Sequence, residues 1–137
     1  MEYLIGIVLA LAVMGLALVV GFDDDRAFYP TMLILVGSYY VLFATMGASG
    51  RTLVEEIAIS CAFLAVAVLG YKRYFWIVGV GMVGHGVFDL LHHFFIDNQG
   101  MPLWWPGFCM SFDVVMGVWL VVRTRIGRTP FLGPPPQ

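Results

Sequence analysis

The residues able to do chemistry are few and crowd into one stretch. All three histidines of the chain, His85, His92 and His93, lie in a single apolar run, with Asp89 among them. Asp113 stands in the next apolar run, flanked by Cys109 and Met116. On a helix, His85, Asp89 and His92 stand at i, i+4 and i+7 and so share one face. Cys109, Asp113 and Met116 repeat that spacing. Ionisable groups in apolar helices are costly and mark functional sites by default. Imidazole and carboxylate together in a dry place suit a transition metal ion, since they supply donors and offset its charge. Zinc and iron fit a His/carboxylate set, and the sulfurs of Cys109 and Met116 would favour copper. The sequence does not choose among the three.

One ion is most easily reached by residues three or four apart. His85 and His92 are separated by about 10.5 Å of helical rise. The expected centre is therefore Asp89, His92 or His93, and Asp113, with His85 as an outlying partner. Folding the hairpin about Gly100 sets His92 level with Cys109, Asp89 with Asp113, and His85 with Met116. Glu55 and Glu56 are further candidate ligands. They are also the candidate bases if the site is hydrolytic.

The elements that must position these residues are membrane spans. The chain of 137 residues is 61% hydrophobic and only 12% charged, whereas a globular surface needs roughly 25%. Runs of about 20 apolar residues occur at 3–21, 28–48, 53–70, 74–96 and 108–122, the last starting as early as Trp104 if its aromatic approach is helical. The expected fold is an all-α integral membrane bundle of five helices, followed by a basic, proline-rich tail at 123–137. The first run lacks the basic start and small-residue cleavage site of a signal peptide, so it is read as a permanent helix.

Five spans leave Arg51 on one side and Arg26, Lys72, Arg73, Arg123, Arg125 and Arg128 on the other. Basic loops stay in the cytoplasm. The N-terminus is then expected outside and the C-terminal tail in the cytoplasm. Trp104 and Trp105 anchor the outer interface, and the carboxylates of spans three to five gather in the outer leaflet half. The expected partners are membrane lipids, and a second copy or a larger membrane complex. Seven Lys and Arg residues with a net charge of −2 give no groove for nucleic acid.

Other patterns carry less. Gly79-Val80-Gly81-Met82-Val83-Gly84 matches a dinucleotide fingerprint, which works only between a strand and a helix. Inside an apolar helix it reads as a packing surface. Asp23-Asp24-Asp25 reads as a solvated turn, Cys61 and Cys109 as buried free thiols, and the first two spans as plain lipid anchors. The stretch from His85 to His93 resembles the histidine boxes of membrane desaturases and hydroxylases. Those enzymes spread many more histidines over several segments. Asp89 and His93 also resemble a fragment of the copper site of particulate methane monooxygenase, whose next histidine has no counterpart here. Neither resemblance transfers an activity. The expected function is metal binding, with a metalloenzyme acting on a lipid or other apolar substrate as its catalytic form. The alternative is a non-catalytic accessory subunit or oligomeric protein whose buried Asp/His network is structural or a proton relay.

Overall fold

A computed structural model describes residues 1–126 of the chain. Arg128 and the proline-rich end lie outside the described residues. Five helices form: α1 Glu2–Val20, α2 Phe28–Gly47, α3 Gly50–Lys72, α4 Trp76–Phe95 and α5 Trp105–Arg125. All five are long and apolar enough to cross a membrane, and no strand occurs among the described residues. This is the all-α membrane-type bundle that the composition implied.

The boundaries have local causes. Gly21 ends α1 in the left-handed conformation at φ 88°, which costs glycine little. A single 3-10 turn, Phe22–Asp24, leads on toward α2. Ser49 caps α3, its hydroxyl accepting the Thr52 N–H at 3.2 Å, the usual service of serine at that position. The fifth helix runs from Trp105 through Arg125, longer at both ends than 108–122. Pro106 sits in its first turn, where no N–H is needed. Arg123 and Arg125 continue its last turn, where positive charge suits the helix dipole.

The helices pack in the order α1, α5, α4, α3, α2, and α2 closes back onto α4. Helix α4 is thus central. The α4–α5 contact is close because glycines face each other. A Cβ on Gly79 would lie 2.9 Å from the Gly117 carbonyl oxygen, and one on Gly117 would lie 2.6 Å from that of Gly79. Gly81 receives the side chains of Val66 and Leu33, while Gly84 meets nothing within 4 Å. Two of the three fingerprint glycines therefore serve packing. Helix α1 buries only the stripe Gly6, Ala10, Met14 and Ala17; most of its other residues are exposed. Helix α2 is no plain anchor. It buries Tyr29, Leu33, Val36 and Tyr40 in the bundle.

One end of the bundle is tied by charge. The Arg26 guanidinium donates twice to the Tyr71 carbonyl, at 2.9 and 2.6 Å. Asp23 is buried. It accepts from the Tyr29 hydroxyl and pairs with Arg123. Trp119 Nε1 in turn donates to the Tyr29 oxygen at 3.2 Å. So the acidic triplet is not wholly a solvated turn: Asp24 and Asp25 are exposed, but Asp23 is drawn inward by its partners. These contacts gather Arg26, Lys72, Arg73, Arg123 and Arg125 at one end. Cys109 is buried as expected, whereas Cys61 is exposed on the outer face of α3.

Candidate metal centre

Helix α4 turns His85, Asp89 and His92 inward, each at most 1% exposed. From α5, Cys109 and Asp113 meet the first two. His85 Nδ1 lies 2.6 Å from Asp113 Oδ2 and 3.6 Å from Asp89 Oδ2. The Cys109 thiol donates to Asp113 Oδ2 at 3.5 Å. One donor atom from each of His85, Asp89, Cys109 and Asp113 lies within 4.8 Å of every other. Phe63 stands edge-on to the His85 ring at 4.7 Å and closes the side toward α3.

The two stripes face each other as their spacing implied, but one helical turn out of the expected register. Asp113 meets His85 where the fold about Gly100 matched it with Asp89. The reason lies in the loop. Residues 96–100 do not turn straight back; they first cross to α2 and α3. Asn98 Nδ2 donates to the Tyr40 carbonyl at 3.1 Å and to Glu56 Oε1 at 2.8 Å. Gly100 rests so tightly on the Phe43 carbonyl that no Cβ fits there. His85, expected at the margin, is therefore at the centre.

His92 goes elsewhere. Its Nε2 lies 2.8 Å from Glu56 Oε1, forming a second buried pair. His93 is exposed at the edge of the inward face of α4, against Phe94, and joins neither group. Glu55 is half-exposed and ion-paired with Arg51 at 2.9 Å. Met116 is fully buried but outside the four.

Tyr40, which with Ser38 and Tyr39 the sequence marks only as a hydroxyl that could line the bundle, joins the two groups. Its hydroxyl donates to Asp89 Oδ1 at 2.6 Å. Its ring stacks on His92, with centroids 4.3 Å apart and planes 21° from parallel. The only sequence signal was a tyrosine hydroxyl at mid-span, a group that must find a partner once buried.

The electrostatics limit what this arrangement can be. Asp89 and Asp113 are each 0% exposed, and no Lys or Arg is paired with either among the described residues. Two ionised carboxylates so placed repel each other and lack hydration. The centre must therefore carry compensating positive charge, as protons or as a metal cation. Asp89 Oδ2 and Asp113 Oδ1 are buried with no hydrogen-bond partner, so each retains unused acceptor capacity.

A protein-family model matches residues 1–126. The chain belongs to DUF6010, a family of unknown function. No curated protein and no solved structure is significantly similar to it. The region matched to DUF6010 contains all five helices and every residue of both buried groups. What this DUF6010 chain does must therefore be read from its own side chains.

Proposed function

We propose that this DUF6010 protein binds a transition metal ion inside the membrane through His85, Asp89, Cys109 and Asp113. The observation that carries the reading is the convergence of one nitrogen, two carboxylate and one sulfur donor within 4.8 Å, all buried. Four donors of these types match the tetrahedral N/O/S preference of zinc, with iron and copper as the competing ions. A tetrahedral ion at ~2.0–2.1 Å from nitrogen and oxygen would hold those donors roughly 3.3 Å apart. The 2.6 Å contact between His85 and Asp113 must then open by less than 1 Å, which is within reach of side-chain adjustment.

Four protein donors make a closed set, as in structural sites; a catalytic site keeps one position free. The enzymatic form, acting on a lipid or other apolar substrate, requires one donor to yield. Cys109 is the candidate, because it alone of the four also lines an apolar groove. Glu56 is engaged by His92 and Asn98, and Glu55 by Arg51, so neither supports the role of base at the centre.

The 2.6 Å His85–Asp113 contact favours a second reading, in which the positive charge is a proton shared by imidazole and carboxylate. The two readings separate on cobalt substitution. A bound Co(II) ion with a thiolate ligand gives intense ligand-field bands and a sulfur-to-metal charge-transfer band. The metal reading expects both, with the charge-transfer band lost in Cys109→Ser. Absence of any cobalt spectrum under saturating metal would leave the proton network.

A further inference from the structure

Helix α1 packs on α5 and on the turn that follows it, with no extensive contact to α2. A slot of about 700 Å³ is left between α1 and α2, floored by α5. That volume falls within the ~300–1,000 Å³ typical of small-molecule sites. Its α1 wall is Ile5, Leu9 and Val13, and its α2 wall includes Leu35 and Tyr39. The floor is Phe108, Cys109 and Phe112. Helix α1 is seated directly on α5 rather than on α2. Gly107 admits Glu2 and Tyr3 with no room for a Cβ between them, and Gly6 sits as tightly on the Phe108 carbonyl.

Depth and chemistry point to the same occupant. The mouth carries Glu2 and Trp104, at the end of the bundle where Trp104 and Trp105 would stand at the interface. From Glu2 to Val13 the slot descends about 16 Å at 1.5 Å per residue. Half of a ~30 Å hydrocarbon core is about 15 Å. The slot thus runs from the interface to near the midplane, the reach of one lipid tail in one leaflet. Below Glu2 its wall holds no charged side chain. Water would find few partners along such a wall.

We propose that the α1–α2–α5 slot binds the hydrocarbon chain of one single-tailed lipid, laid along α5 so that it passes Cys109. The chain then lies against the one donor shared by the slot and the polar centre. That this chain is a substrate rests on the metal reading; that it binds does not.

The test uses the full chain in nanodiscs with hexadecanol bearing a mid-chain diazirine. Photolabelling is expected to concentrate on peptides from α1, α2 and α5 that line the slot. The double variant Leu9→Trp/Leu35→Trp, two exposed positions on opposing walls, should fill the slot and lose that labelling. Val118→Trp, on an exposed face elsewhere, should keep it. Helical circular dichroism and elution volume check that each variant is folded. Labelling spread evenly over all lipid-facing surfaces, or unchanged in the double variant, overturns the proposal. So does replacement of the label by cross-links to a second copy of the chain. Metal content is measured on the same samples beside Asp113→Asn. Labelling that persists in a metal-free protein leaves the slot and removes the metal centre; metal without slot labelling does the reverse.

Discussion

Asp89 is oriented before any ion arrives. Tyr40 occupies its Oδ1, leaving Oδ2 toward His85. A hydrogen bond that fixes a ligand in this way typically contributes 10–100-fold in metal affinity. Tyr40→Phe is therefore expected to weaken binding by about 10–100-fold, as read by competition with a chelating indicator, while the helices remain intact. His93→Ala should leave affinity unchanged, since that side chain is exposed and lies outside both buried groups. A loss at His93 equal to that at Tyr40 would place the ligand set elsewhere. All four residues were among the sequence candidates, because i, i+4 spacing on an apolar helix leaves a polar pair one shared face, but His85 and Cys109 stood at the margin of the expected set and His92 or His93 at its centre. Their pairing was not legible. It depends on the path of residues 96–100, which is set by Asn98 reaching Glu56 and Tyr40. Tyr40 itself was hidden for a simpler reason: a lone hydroxyl in a span has no periodic companion to mark it.

The α4–α5 hairpin holds both halves of the centre, so its packing controls the site. Gly117→Val places side-chain atoms where a Cβ would lie 2.6 Å from a backbone oxygen of α4. Overpacking of this kind costs about 1–3 kcal/mol, and here it should also reduce metal content by parting His85 from Asp113. Gly84→Ala is the matched control, because nothing lies within 4 Å of that position. It should be neutral, or stabilising by up to ~1 kcal/mol through helix propensity. Denaturant titration in mild detergent reads both. At the far end, Asp23→Ala removes the acceptor of the Tyr29 hydroxyl and one of the carboxylates paired with Arg123, which keeps Asp24 at 3.6 Å. Leaving the buried Tyr29 hydroxyl without an acceptor costs about 1–3 kcal/mol, and the same titration should show it. The sequence marked the glycines of α4 as a packing face but could not say which neighbour each one meets. It missed the burial of Asp23 because three consecutive aspartates before an arginine look solvated until α5 supplies Arg123 from the other end of the chain.

For the molecule as a whole, five spans follow from composition and run length, which is why the architecture was the most readable feature. The basic residues Arg26, Lys72, Arg73, Arg123 and Arg125 gather at one end, tied by Arg26 to α3 and by Asp23 to α5. Arg51 is at the other. Because basic ends are retained in the cytoplasm, reporter fusions should place the N-terminus outside and the C-terminus inside; both termini on one side would contradict the odd number of spans. The proposed function rests on the two buried carboxylates being balanced by a metal. Elemental analysis of the purified full-length protein tests it directly. One transition metal ion per chain in the native protein, lost in Asp113→Asn while the variant keeps its fold, is the expected result. A folded native protein that carries no transition metal, even after incubation with zinc, iron and copper, would contradict it and leave His85, Asp89 and Asp113 as a proton-bearing network.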